Sequence, residues 1–143
     1  MYSSRGKFSA TPLDHMKKLL IVDDEILILH VLSKAFCKDG ELDVITASNG
    51  ESALRAISAN RIDLCLLDVH LPDMNGLEIM KQIRKVAPET RIVIITGSDV
   101  TDSMMKYIRE NAHSMMSKPF ELAEIRLLVS RLLATDKPLH WEA

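Results

Sequence analysis

Five short, mainly apolar runs occur along this chain, separated by longer stretches in which apolar residues recur every three or four positions. The runs fall at residues 17–22, 43–47, 63–67, 91–96 and 114–117. Apolar runs this short, bounded by turn residues, are typical of β-strands buried on both faces. We therefore predict five buried strands.

The stretches between the runs predict five helices, over about residues 25–38, 50–59, 76–87, 100–110 and 122–134. We expect Ile26, Leu29 and Phe36 to share the buried face of the first helix. Ser48 and Glu51 have the spacing of a capping box for the second helix. Residues 97–99 supply a turn and cap for the fourth.

Strands that alternate with helices predict an α/β fold with a parallel sheet covered on both faces. We expect the flavodoxin-like, doubly wound strand order 2-1-3-4-5. At 143 residues the chain has the length of one domain. We place this domain at residues 17–134, between a flexible N-terminal lead-in (residues 1–16) and a C-terminal tail (residues 135–143).

The composition argues against several classes of protein. A net charge of -2 offers no basic stripe, so we expect no direct nucleic-acid partner. The sequence contains no run of about 18 apolar residues and no signal peptide, so we expect no membrane span. Cys37 and Cys65 are interpreted as small core residues rather than a disulfide, which favours a reducing, cytoplasmic location.

Carboxylates follow two of the predicted strands. Asp23 and Asp24 come after the first strand, and Asp68 comes after the third. In an open parallel sheet the carboxyl ends of the strands border one crevice, so these acids converge. A single aspartate in such a place is more often a cap or turn residue, but the combination indicates a site. Close carboxylates repel one another, and a hard divalent cation with oxygen ligands relieves that repulsion.

Further sequence features occur at the ends of the third, fourth and fifth predicted strands. Leu71-Pro72 and Gly76 follow Asp68, Thr96 ends the fourth strand, and Lys118-Pro119 ends the fifth. Together with the three acids, these residues resemble the receiver domain of two-component response regulators over about residues 17–134. Any one of these features would be weak evidence for the family, but their occurrence together in this order is specific to it.

The resemblance implies that Asp68 is the phosphoacceptor and takes a phosphoryl group from a histidine kinase or a histidine phosphotransfer protein. It also implies a Mg²⁺ (or Mn²⁺) site. Asp24 and Asp68 would be direct ligands, Asp23 would act through water, and the backbone carbonyl of His70 would complete the shell. Such a chain is not an enzyme toward other molecules and catalyses only its own phosphorylation and dephosphorylation.

The resemblance also assigns a switch. Lys118 would offset charge on the phosphoryl oxygens, and Thr96 would donate its hydroxyl to them. Side chains over the phosphoryl group, His70 and Ser98, would set its lifetime. A downstream partner or a second copy of the chain would then bind the face formed by the fourth helix, fifth strand and fifth helix. Met115 stands where the family usually has an aromatic residue, so we expect softer coupling to that face.

Two other classes of protein remain as alternatives. A phosphatase of the haloacid dehalogenase type also uses an aspartate nucleophile, a lysine and Mg²⁺, but His70 stands where its second acid is expected. A pseudo-receiver would be a binding module that is not phosphorylated. The presence of all the acids together with Thr96 and Lys118 argues against it.

Overall fold

The computed structural model describes residues 16–38, 40–97, 100–134 and 141. Most of the predicted lead-in and tail, together with Asp39, Ser98 and Asp99, lie outside these residues. Trp141 is the exception in the tail, where it is half-buried and packs against the hydrophobic core.

Within the described residues, five strands alternate with five helices. Their order is β1 (Lys17–Val22), α1 (Ile26–Cys37), β2 (Leu42–Ala47), α2 (Gly50–Ala59), β3 (Leu64–Asp68), α3 (Gly76–Val86), β4 (Arg91–Thr96), α4 (Asp102–Asn111), β5 (Ser114–Ser117) and α5 (Leu122–Ala134). The strand prediction is confirmed, and the bounds of β1, β4 and β5 coincide with those expected.

All five strands pair in parallel in the order β2-β1-β3-β4-β5. This confirms the predicted fold class and strand order. Because β1 and β3 are neighbours and Val22 pairs with Leu67, the residues that follow each strand emerge side by side. The crevice at the carboxyl ends of the strands therefore receives Asp23 from β1 and Asp68 from β3.

Each face of the sheet is covered by its own apolar layer. Buried side chains of α2, α3 and α4 pack on one face, and those of α1 and α5 pack on the other. The central strand β3 is buried along its whole length, which is why its sequence is continuously apolar up to Asp68. None of the described helices combines the length and apolar character needed to span a membrane.

Two predictions about α1 were wrong. Ile26 is 68% exposed, whereas Leu29, Leu32 and Phe36 form the buried stripe. At 100° per residue, Ile26 lies about 90° from the centre of that stripe, so it faces solvent. Cys37 is also exposed rather than in the core, while Cys65 is fully buried as expected.

Two helix starts also differ from the prediction. The N-cap of α2 is Asn49, whose side chain accepts the N–H of Ser52, rather than Ser48. Helix α4 begins two residues later than expected, because Thr101 caps it by accepting the N–H of Met104. Both changes follow the same rule, since short polar side chains at N-caps satisfy otherwise unpaired amides.

Candidate functional site

Two buried carboxylates meet at the carboxyl ends of β1 and β3. Asp23 is 2% exposed and Asp68 is 4% exposed. The N–H of Glu25 donates to Asp23 Oδ1 at 2.8 Å, and the N–H of His70 donates to Asp68 Oδ1 at 3.2 Å. These amides fix one oxygen of each carboxylate and leave the other to face the crevice.

Lys118 fills the centre of the crevice. Its N–H donates to the carbonyl of Thr96 at 2.8 Å, which fixes the end of β5 beside β4, and its peptide bond to Pro119 is cis. Its ammonium Nζ lies 2.8 Å from Asp23 Oδ2, 2.8 Å from Glu25 Oε2 and 3.3 Å from Asp68 Oδ2. One cation therefore joins three carboxylates from two segments of the chain, the connection after β1 and the end of β3.

The charges of this cluster depend on burial and on one another. Burial raises the pKa of Asp23 above its ordinary value, although hydrogen bonds from Lys118 and from the amide of Glu25 oppose the shift. Burial alone would lower the pKa of Lys118. Its bonds to Asp23 and Glu25 outweigh that effect and raise the pKa, so the ammonium stays charged.

Glu25 is a member of the site that sequence reasoning missed. Among the described residues, the carboxylate oxygens of Asp23, Glu25 and Asp68 lie within 4.8 Å of one another. Glu25 occupies the N-cap of α1 but makes no side-chain capping bond, so its carboxylate reaches across to Lys118. Its place directly after Asp23 and Asp24 was the available signal.

The other two expected metal ligands lie at the margin of this cluster. Asp24 is exposed, and it is outside the group of carboxylates that the structure brings together. His70 is exposed, and it forms a short antiparallel bridge with Asn75 across the loop after β3. The structure therefore joins Asp23, Asp68 and Lys118 directly and leaves Asp24 and His70 beside them.

The expected switch residues lie on β4, β5 and the loop between β4 and α4. Thr96 is 3% exposed at the end of β4. Gly97 packs on Lys118, where an added Cβ would come within 3.3 Å of Lys118 Cδ. Met115 pairs with Ile94 in the sheet and packs, half-buried, against the layer that includes α4. Ser98 lies outside the described residues.

The three carboxylates and one ammonium in the crevice determine which ligands it can bind. One ammonium cannot neutralise three carboxylates, so the cluster carries surplus negative charge. Closely spaced carboxylate oxygens with surplus charge fit a hard divalent cation. A carboxylate oxygen that faces both a lysine and a cation can attack a phosphoryl group, because such transfer depends mainly on position and charge neutralisation.

A flavodoxin-like sheet with this acidic crevice and a lysine from β5 defines a receiver-type α/β domain. The chain belongs to the response regulator receiver domain family, whose profile it matches over residues 19–130.

Named relatives agree with this assignment. Sporulation initiation phosphotransferase F of Bacillus subtilis (strain 168) is 35% identical over 117 residues, which cover 82% of this chain and 94% of that protein. The alkaline phosphatase synthesis transcriptional regulatory protein PhoP of the same organism is 37% identical, and the match covers 82% of this chain but 48% of PhoP. The chain thus spans nearly all of the first relative and about half of the second.

A solved structure shows the same fold. The response regulator protein TrrA from Thermotoga maritima, in complex with Mg²⁺-BeF, is 32% identical, and the match covers 82% of this chain and 99% of TrrA with a TM-score of 0.71.

Proposed function

We propose that this chain accepts a phosphoryl group on Asp68 from a histidine kinase or histidine phosphotransfer protein in the cytoplasm. The observation that carries the proposal is the position of Asp68. It is buried at the end of the central strand, with Oδ2 lying 3.3 Å from the Lys118 ammonium. Asp23 and Asp68 each contact Lys118 and accept a neighbouring backbone N–H, but Asp68 is the one that stands at the end of the central strand.

In this reaction an oxygen of Asp68 attacks the phosphorus of a phosphohistidine. A P–O bond forms, the P–N bond breaks, and the imidazole nitrogen keeps the electron pair and takes up a proton. Lys118 then offsets charge on the phosphoryl oxygens. Hydrolysis by water reverses the modification, and we propose that His70 and Ser98 affect its rate by limiting access of water.

The acidic cluster supports a Mg²⁺ (or Mn²⁺) site for the same reaction. We propose that Asp24, Asp68 and the carbonyl of His70 hold the cation directly and that Asp23 holds it through water. When bound, the cation neutralises charge between the carboxylates and the phosphoryl oxygens. The complex of TrrA with Mg²⁺-BeF, a relative of the same fold, supports this proposal.

The test is incubation with a small acyl phosphate and Mg²⁺, read by intact mass. Wild type should gain one phosphoryl group that alkali removes, because acyl phosphates are base-labile, and a chelator should prevent the gain. Asp68→Asn should gain none. Equal labelling of Asp68→Asn would contradict the assignment, and an unlabelled wild type would favour the pseudo-receiver.

An apolar groove beside the site supports docking of the phosphodonor at α1. The groove has a volume of about 590 Å³ and reaches Glu25, Gly97 and Lys118 at one end. Its apolar lining residues are Leu27, Ile28, Val31, Leu32, Pro119, Phe120 and Leu122. Leu27 is 73% exposed and Ile26, on the adjoining surface, is 68% exposed. Apolar side chains that are exposed next to a reactive carboxylate suit a partner that must bring its phosphohistidine to Asp68.

We therefore expect Leu27→Gln to slow transfer from a phosphohistidine protein by about tenfold, which corresponds to the loss of about 1.4 kcal/mol at one contact. Labelling by a small acyl phosphate should not change, because it needs no docking surface. Val86→Gln is the matched control, since Val86 is 67% exposed on α3 outside the groove. If Leu27→Gln and Val86→Gln transfer alike, the donor docks elsewhere.

A further inference from the structure

We propose that Glu25 is a positioning residue that restrains Lys118 in the unphosphorylated protein and so weakens binding of the phosphoryl group. This inference rests on the proposed phosphorylation of Asp68. Glu25 would not touch the phosphoryl group and would act through Lys118.

Lys118 can donate a limited number of hydrogen bonds. An ammonium has three N–H donors. The three carboxylates of Asp23, Glu25 and Asp68 lie within 3.3 Å of Nζ and match that number. A phosphoryl oxygen on Asp68 can receive a bond from Lys118 only if one of these partners gives up its own.

The three partners of Lys118 differ in how easily each can be exchanged. The side chain of Asp23 is 3% exposed, so the loss of its ion pair would leave a buried charge. Asp68 carries the phosphoryl group itself. The side chain of Glu25 is 58% exposed, and water can solvate its carboxylate at little cost. Lys118 keeps its buried partner Asp23 and passes its bond to Asp68 on to a phosphoryl oxygen, so Glu25 is the partner that it can release as the ammonium turns toward that oxygen.

The backbone holds Glu25 in place for its contact with Lys118. Its N–H donates to Asp23 Oδ1 at 2.8 Å, and its carbonyl accepts the N–H of Leu29 at 3.1 Å in the first turn of α1. The side chain makes no capping bond, and its carboxylate accepts a hydrogen bond from Lys118 instead. Replacement of the side chain should therefore leave α1 intact.

The experiment measures binding of beryllofluoride, a stand-in for the phosphoryl group, at saturating Mg²⁺ by ¹⁹F NMR. Glu25→Gln should bind it about threefold to fivefold more tightly than wild type, the size expected when one exposed ion pair no longer competes. Glu25→Ala should show at least as large a gain. Glu110→Gln removes the same charge from an exposed position on α4 and should bind like wild type.

A second measurement separates restraint of Lys118 from a general charge effect. Exchange of the Lys118 ammonium protons with water, followed by NMR without beryllofluoride, should be faster in Glu25→Gln than in wild type. Unchanged affinity in Glu25→Gln and Glu25→Ala would overturn the inference, and so would a gain in affinity without faster exchange. Failure of the proposed function looks different, because wild type and Asp68→Asn would then bind beryllofluoride equally.

Discussion

His113 illustrates how the surroundings of a single residue decide its charge. It precedes β5, and its Nδ1 accepts the N–H of Ile92 at 3.0 Å. Burial, with smaller contributions from Arg84 and Arg91, lowers the pKa of His113 to about 4 from its usual 6.5. The neutral ring is therefore part of the connection between β4 and β5, although the sequence assigned His113 no role.

The stability of the protein should consequently depend on pH through His113. In the unfolded chain His113 takes up a proton near pH 6.5, whereas in the folded chain it stays neutral down to about pH 4. The contribution of neutral His113 to the free energy of unfolding is therefore fully present above pH 6.5 and is lost as the pH falls toward 4. We expect urea unfolding to show a steeper loss of stability over this range in wild type than in His113→Asn, whose amide oxygen can still accept from Ile92. Parallel curves for the two proteins would show that His113 is not responsible.

For single residues, the sequence predicted where the site residues lie along the strands better than it predicted which side chains touch. Asp23, Asp68, Thr96 and Lys118 stand where the pattern put them, because strand ends can be located from apolar runs. The place of Glu25 after two acids was a signal, but its contact with Lys118 could not be predicted, because it joins residues 93 positions apart and depends on the direction of a side chain. The roles assigned to Asp24, His70 and Ser98 stay predictions.

Helix α3 starts directly against the strand end that carries Asp68. The N–H of Gly76 donates to the carbonyl of Val69 at 2.7 Å. A Cβ at Gly76 would lie 2.4 Å from the Asp68 carbonyl oxygen and 2.7 Å from Val69 Cα. These neighbours are backbone atoms and cannot move aside singly, so only glycine allows this approach.

Gly76→Ala should therefore destabilise the protein by about 3 kcal/mol and impair labelling of Asp68, because the clash displaces the backbone of the phosphoacceptor. Gly40→Ala is the matched control. Gly40 has φ 68° with no atom near the added Cβ, so only backbone strain of about 1 kcal/mol is expected and labelling should persist. Chemical denaturation and intact mass measure the two effects. Normal labelling of a folded Gly76→Ala would contradict the proposed coupling.

Element prediction succeeded where one physical signal dominated. The buried strands have continuous apolar runs, and these runs located all five strands along the chain. It failed where two signals competed. Ser48 and Asn49 are both short polar residues that could cap α2, and the cap is Asn49. Likewise Ile26 is apolar by sequence but outside the buried stripe of α1.

Two adjacent strands, β4 and β5, link the site to the segment of the chain that carries α4. Lys118 enters the site from β5, and its amide is bonded to the carbonyl of Thr96 on β4. A change at Asp68 that moves Thr96 or Lys118 therefore acts on the chain between them, which contains α4 and β5. This connection supports the proposal that a downstream partner or a second copy of the chain binds the face formed by α4, β5 and α5.

We expect beryllofluoride with Mg²⁺ to shift backbone amide resonances from Gly97 to Met116, while Met115 repacks without a single defined flip because its side chain is flexible. Heteronuclear NMR of wild type measures this, and Asp68→Asn under the same conditions is the control. Perturbations confined to the loops around Asp68 would mean that the proposed face does not receive the signal.

For the whole molecule, the strand order followed from the sequence because alternating strands and helices allow few arrangements. The groove beside α1 did not follow, because Ile26 and Leu27 were indistinguishable by type from core residues. Only the packed molecule shows that both side chains are exposed and that Leu27 lines the groove that reaches Lys118.

The central claim is that Asp68 receives the phosphoryl group, and site mapping tests it most directly. Borohydride reduces a phosphorylated aspartate to homoserine, and peptide mass spectrometry then reports its position in wild type treated with acyl phosphate and Mg²⁺. We expect homoserine at residue 68 and unmodified Asp23, Asp24 and Glu25. Homoserine at position 23 or 24 with an unmodified Asp68 would contradict it.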